Sequence, residues 1–293
     1  MERVIIDTDP ALGVPLRDVD DGLALILALR EPHLNVEGIT ITHGNTSCKR
    51  AFLSARRTTK AVGREDVPVY AGAKTRCNNR LLRDISETDA SRFITERLEA
   101  EPGEITLVTL GPLSNILTAE TITPGTLRKA RRVVAMGGAI DVQGFAPPWF
   151  RAEFNVFMDV PAAALLIREA PDLTLVSLDL TQKVIFGYEQ MNRLRSGGRF
   201  ARRLHRDIKL WFDLMKHFTT RGGGFNPHDP LAVAYLTHPE WYTTDTIPIS
   251  IIEKPGFRYG EMIRDPRGTR VRVPFSINET AFLDYLVEKL VSE

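Results

Sequence analysis

The 293-residue chain has only two cysteines, Cys48 and Cys77. One pair is no disulfide framework, and its spacing fits no zinc motif. The expectation is therefore a reduced, cytoplasmic setting. Long apolar runs are missing too. The longest, Leu23–Leu29, is far short of the roughly 20 residues a membrane span needs. Neither sign of charge is in excess: Lys and Arg total 38 against 37 for Asp and Glu, a net +1. That balance gives no electrostatic footprint for nucleic acid or an anionic membrane. Met1-Glu2-Arg3 runs straight into Val4-Ile5-Ile6, so no signal peptide is expected. No internal repeat and no composition break marks a second domain, and residues 1–293 are expected to form one.

What is present is a core-forming chain, 43% apolar, in which short β-rich runs alternate with helical patterns. Val4-Ile5-Ile6 reads as a buried strand ending at Asp7, and Gly22 to Leu29 as a helix stopped by Pro32. Strands follow at Val36–Thr42, Val67–Tyr70, Ile105–Leu110, Arg132–Met136 and Leu173–Leu178. Helical spacing runs through Ser47–Val62, Ser91–Ala100, a segment from about Leu113, and Pro161–Glu169. The alternation predicts an α/β fold: a mainly parallel open sheet with helices on both faces. Such sheets bind ligands just beyond their strands, where this chain collects its polar residues. Asn78 to Ser91 reads as a surface loop. Residues 142–152 read as an aromatic binding loop or a subunit contact, through Phe145, Trp149 and Phe150. Lys209 to Phe218 is amphipathic, and Arg221-Gly-Gly-Gly224 reads as a flexible joint.

The strongest chemical signal is Asp7-Thr8-Asp9-Pro10 followed by Asp18-Val19-Asp20-Asp21. Helix capping needs only one carboxylate, whereas five so close together repel one another unless a cation joins them. Hard cations such as calcium and magnesium take oxygen ligands of this kind. The cluster alone names no reaction. Asp-x-Asp behind a strand also suits magnesium-dependent phosphoryl transfer with Asp7 as nucleophile. That reading wants a downstream Lys and a further acidic pair behind another strand, and neither stands out.

An ordered set of motifs narrows the choice. Asp7-Thr-Asp9-Pro10, Asp20-Asp21-Gly-Leu-Ala-Leu and Val36-Glu-Gly-Ile-Thr-Ile-Thr-His-Gly44-Asn45-Thr46 come first. Leu107-Val-Thr-Leu110-Gly-Pro-Leu-Ser-Asn115, Val133-Val-Ala-Met136-Gly-Gly138 and Ala152-Glu153-Phe154-Asn155 follow. His228-Asp229-Pro230-Leu-Ala and Gly260-Glu-Met-Ile-Arg-Asp265 complete the series. In that order, along nearly the whole chain, they resemble the inosine-uridine-preferring nucleoside hydrolase family.

The resemblance implies calcium-dependent cleavage of the bond between ribose and base in a small nucleoside substrate, by a homodimer or homotetramer. It implies Asp9, Asp21 and Asp229 as side-chain calcium ligands and the Leu110 carbonyl as another. Asp9 would also accept a proton from the metal-bound water. Asp20 and Asn155 would hold ribose hydroxyls, Asn45 would lie beside ribose and metal, and Glu153 near the 5′ end of the sugar. Met136 would pack in the sugar pocket. His228, next to Asp229, is the candidate acid for the departing base. A non-catalytic nucleoside-binding relative is the other alternative.

Taken singly, these residues have plainer readings. Asp229-Pro230 suits an N-cap followed by proline at N1, Asn45 a turn, Met136 a core position, and Glu153 and Asn155 the surface. The chain also departs from the family. Ala11 to Val19 stand where the family keeps a much shorter link. An asparagine expected after Gly144 is replaced by Phe145, so weak recognition of the 5′-hydroxyl is expected. The region after Tyr70 lacks the histidine-glycine segment of pyrimidine-preferring members.

Overall fold

The most apolar segments of the chain become its innermost strands. The structure, a computed structural model, describes residues 1–76, 85–144, 151–219 and 221–292. β1 (Glu2–Thr8), β2 (Leu34–Ile41) and β3 (Val69–Ala71) alternate with α1 (Asp20–Arg30), α2 (Cys48–Ala61) and α3 (Asp89–Ala100). β4 (Ile105–Thr109), α4 (Ser114–Ile122), β5 (Arg132–Met136), α5 (Phe154–Met158), α6 (Val160–Glu169) and β6 (Leu173–Val176) continue the pattern. α7 (Leu178–Thr181), β7 (Phe186–Gly187), α8 (Tyr188–Ser196), α9 (Arg199–Met215), β8 (Gly224–Phe225) and α10 (His228–Thr237) come next. β9 (Tyr242–Ile251), β10 (Met262–Arg264), β11 (Thr269–Ile277) and α11 (Glu279–Val291) end the described chain.

Nine strands form one sheet in the order β10-β9-β11-β6-β5-β4-β1-β2-β3. β1 pairs parallel with both β2 and β4, and the parallel register continues through β5 and β6 to β11. β9 runs antiparallel to both β11 and β10. The expected mainly parallel α/β sheet is what forms, as a single domain. Because the chain leaves β1 to opposite sides, for β2 and β4, a crevice opens beyond their carboxyl ends. Alternation along β1 feeds two cores: Val4 and Ile6 pack on one face of the sheet, Ile5 on the other. Among the described residues no helix is long and apolar enough to cross a membrane.

Two helices explain where the acidic residues end up. α1 (DDGLALILALR) is buried from Asp20 through Leu29, and α10 (HDPLAVAYLT) from Asp229 through Leu236. A helix apolar all round must be buried, and α1 and α10 pack against each other. Their first turns carry Asp20, Asp21 and Asp229 into the interior, where the unpaired N–H groups of helix N-termini favour negative charge.

Some boundaries differ from expectation. Asp89–Ser91 belong to α3, because Thr88 and Ser91 form a capping box; residues 78–84 lie outside the described set, as does Cys77. The amphipathic segment read at Lys209 starts at Arg199, since Ala201, Leu204, Ile208 and Phe212 form one buried stripe. Arg221–Gly224 is a turn leading into β8. There the Arg221 guanidinium pairs with Glu279, and the Gly223 amide donates to the Lys216 carbonyl.

The end of α1 is tied to α11 by one buried carboxylate. Glu31 accepts from the Tyr285 hydroxyl at 2.5 Å and the His33 amide at 3.1 Å, and the Lys289 ammonium lies 3.0 Å away. Burial alone would raise its pKa, but Tyr285, Lys289 and His33 outweigh burial and pull it from 4.5 to about 2. A depressed carboxylate pKa contributes stability above the unfolded-state value, and that stability is lost as pH falls from there through the folded one. Glu31→Gln should therefore cost up to about 3 kcal/mol at pH 7. The urea-unfolding gap to wild type should narrow as pH is lowered from 5 towards 3. A gap independent of pH would sink this assignment.

Candidate active site

The crevice beyond β1 and β4 is lined by residues from five separated segments. Asp7, the penultimate residue of β1, is fully buried, and its Oδ1 accepts from Thr40 Oγ1 at 2.6 Å and Asn115 Nδ2 at 2.7 Å. Burial raises its pKa to about 7, against the opposing effect of those two bonds. Its other oxygen, Oδ2, is buried without a hydrogen-bond partner among the described residues. Asn115 was not among the expected site residues. It sits 108 residues from its partner, and nothing in the spacing links the two.

Asp9 lies just past the strand. Its Oδ2 accepts from the Asn45 amide, its own amide donates to Asp21 Oδ1 at 3.1 Å, and its Oδ1 is buried with no hydrogen-bond partner among the described residues. Any side chain at Gly44 or Gly111 would collide with this carboxyl, and Gly44 also has φ +155°. Glycine at both positions lets the backbone close on Asp9 from two sides. Asp21 Oδ1 also accepts from Thr8 Oγ1, and Asp21 Oδ2 from Asn45 Nδ2 at 2.7 Å. Asp20 Oδ1 accepts from the Asp21 amide and Asp20 Oδ2 from the Asp229 amide at 3.2 Å.

Asp229 stands inside the first turn of α10 rather than at its cap, and makes no capping bond. One carboxylate oxygen each from Asp20, Asp21 and Asp229 falls within 4.8 Å of the others. Burial, then repulsion from neighbouring carboxylates, raises Asp9, Asp20 and Asp229 well above the usual range. Burial raises Asp21 too, and pushes Asp18 to about 6. A cation would relieve all of these at once, and Asp9 Oδ1 is an oxygen still wanting a partner. Among the described residues the clustered donors are all carboxylate oxygens, with no thiolate and no imidazole, which suits a hard cation. The residues present fit a metal.

The residues expected on the sugar side gather at the ends of the next two strands and on α5. Asn155 is buried, and its Nδ2 donates to the Leu110 carbonyl at 2.7 Å and approaches Met136 Sδ at 3.7 Å. Leu110 and Met136 thus share one partner. Glu153 caps α5 and takes amides of Asn155, Val156 and Gly138 at 2.8, 3.1 and 3.1 Å. Both its oxygens are therefore committed to backbone. His228 is half-buried, with Nδ1 2.7 Å from Thr181 Oγ1, and burial pulls its pKa down to about 4. Thr181 was another residue the sequence did not mark. Phe145, Trp149 and Phe150 lie outside the described residues; Arg151, next to them, pairs with Glu261 at 3.2 Å.

Comparison with known proteins agrees with this arrangement. The family profile described as inosine-uridine preferring nucleoside hydrolase matches residues 4–284. The pyrimidine-specific ribonucleoside hydrolase of Escherichia coli is 30% identical over 287 residues, covering 91% of this chain and 88% of its own length. Among solved structures, a plant nucleoside hydrolase superposes with a TM-score of 0.87 at 23% identity, covering 100% of this chain and 99% of its own. The purine-preferring ribonucleoside hydrolase from Gardnerella vaginalis gives 0.86 at 24% identity, covering 99% and 98%. With the family profile spanning almost the whole chain and a curated relative matched end to end, the chain belongs to the inosine-uridine preferring nucleoside hydrolase family and is an N-glycosyl hydrolase of ribonucleosides.

Proposed function

We propose that the acidic cluster holds calcium and that hydrolysis of the ribose–base bond depends on it. The observation that carries this is the convergence of Asp20, Asp21 and Asp229, whose carboxylate oxygens lie within 4.8 Å of one another, beside Asp9, which is tied to Asp21 through its amide and keeps a buried Oδ1 without a hydrogen-bond partner among the described residues. Oxygens as close together as those of Asp20, Asp21 and Asp229 are ones that calcium–oxygen distances of about 2.3–2.6 Å span. The holding residues are Asp9, Asp21 and Asp229 with the Leu110 carbonyl. When bound, calcium supplies positive charge that orients the ribose diol and acidifies the water beside it.

The remaining chemistry belongs to side chains. Breaking the bond builds positive charge on the sugar, and the carboxylates around it stabilise that charge as it develops. Asp9 Oδ1 accepts the proton of the attacking water. Asp20 and Asn155 fix ribose hydroxyls and Asn45 steadies the Asp9–Asp21 pair beside them, which removes orientational freedom from the barrier. Met136 packs against the sugar. The chain works as a homodimer or homotetramer in the cytoplasm.

The test is a panel of N-ribosides scored for free ribose before and after exhaustive chelation. Release should cease with chelator and return with calcium. Activity that survives chelation would refute the metal, and ligand binding without any ribose release would make the chain a non-catalytic relative. Because Glu153 is committed to backbone amides, 5′-deoxyribosides should lose less than about tenfold in kcat/KM, under the roughly 1.5–3 kcal/mol typical of a hydrogen bond to a charged group. A much larger loss would show that another group grips the 5′-hydroxyl.

A further inference from the structure

His43, Ser114 and Asp159 bring together the residue types of a hydrolytic triad without its order. Ser114 Oγ donates to Asp159 Oδ2 at 2.6 Å, and His43 Nε2 lies 3.3 Å from the same Oγ. In a nucleophilic triad the imidazole stands between serine and carboxylate and takes the hydroxyl proton. Here the serine stands in the middle and gives its proton to the carboxylate. All three side chains are also out of solvent, with 5, 0 and 2% exposure for His43, Ser114 and Asp159. A serine so placed attacks nothing. A hydroxyl has one proton to give, so towards His43 it accepts, from a proton on Nε2, and the His43 ring has a second hydrogen bond to the Thr75 backbone.

The three residues sit where segments of the active site are anchored. His43 precedes Gly44 and Asn45, whose amide and side chain hold Asp9 and Asp21. Ser114 opens α4, four positions after Leu110. Asp159 joins α5, which carries Asn155, to α6. Asn155 returns to the Leu110 carbonyl, so the segment after β4 and helix α5 close a circuit, and His43 joins the segment after β2 to it through Ser114. We infer that His43, Ser114 and Asp159 form a buried positioning chain that keeps Asn45 and Asn155 in register on opposite sides of the ribose. This rests on the ribose-binding roles proposed for those two asparagines.

In such a circuit a missing hydroxyl removes the link between the imidazole and the carboxylate, and the two asparagines drift apart. A displacement of about an ångström at a distance from the chemistry can cost on the order of 100-fold in rate. The experiment compares Ser114→Thr with Ser114→Val, which match in volume and differ in the hydroxyl. Turnover of an N-riboside and the slow-exchanging His43 ring N–H resonance are both recorded, in protein shown to be folded by circular dichroism.

Ser114→Thr should keep the resonance and stay within about threefold of wild-type kcat. Ser114→Val should lose the resonance and fall about 10- to 100-fold in kcat, with KM changing far less. His43→Gln combined with Ser114→Val should cost no more than the larger single loss, because both break one circuit. Equal kcat in the two Ser114 variants, a resonance indifferent to Ser114→Val, or additive losses would each overturn the chain. Wild-type turnover is scored separately, so its absence would refute the riboside assignment, while the resonance alone would still decide the circuit.

Discussion

Asp9→Asn is expected to lower kcat by about 10²–10⁴-fold, the usual worth of a positioned general base, while raising the melting temperature of the metal-free protein. The substitution keeps the volume of the side chain and an oxygen to accept the Asn45 amide. What it removes is a proton acceptor and a negative charge. Without a cation, Asp9 faces Asp21 and the other carboxylates in a buried setting, and neutralising one of them relieves repulsion without opening a cavity. A relief of about 1 kcal/mol corresponds to a rise of roughly 2–4 °C in a chain of this size.

Added calcium should reverse the order of stability. A ligand that binds only the folded state stabilises it more the tighter it binds, and the variant lacks one of the proposed metal ligands. Asp66→Asn is the control, since Asp66 is exposed and pairs only with Arg64 among the described residues. Wild-type kcat in Asp9→Asn would remove the base assignment. A variant less stable than wild type in chelator would show that the carboxylates do not repel one another as their burial requires.

Of the two deciding helices, α1 was legible as the apolar run Gly22–Leu29, whereas α10 announced itself only through Asp229-Pro230. Apolar residues all around both force burial, and the acidic residues of their first turns go with them. The register of Asp20 and Asp21 after the unusual Ala11–Val19 segment was read from Gly22-Leu-Ala24-Leu behind them, which resembles the family's helix. Asp229 was ambiguous, since Asp-Pro also suits a cap, and only the packing of α10 against α1 shows the carboxyl turned to the cluster. Glu153 and Asn155 look like surface polars in isolation. Their burial comes from backbone amides and the Leu110 carbonyl, contacts that no local pattern encodes. The pairs Asp7–Asn115, His228–Thr181 and Ser114–Asp159 span 108, 47 and 45 residues. Periodicity reports the face a residue occupies, not the partner it meets across the sheet.

His228→Ala should lower kcat on natural nucleosides by about 100-fold and should barely affect a nitrophenyl riboside. A departing base carries the electron pair of the broken bond, so a hydrogen-bond donor at its edge lowers the barrier, whereas nitrophenolate leaves without help. The environment sets the form in which His228 can donate. Its ring is the first in α10, where the helix N-terminus disfavours a cation, and burial holds the imidazole neutral at physiological pH. Thr181 Oγ1 lies 2.7 Å from Nδ1; donation from that hydroxyl places the ring proton on Nε2, which has no hydrogen-bond partner among the described residues. A neutral Nε2–H, held in one tautomer, stabilises developing charge on the base without having to transfer a whole proton. Thr181→Val releases the tautomer and should reproduce part of the loss, again only on natural nucleosides. Equal losses on the two classes of substrate would instead make His228 a packing residue at the start of α10.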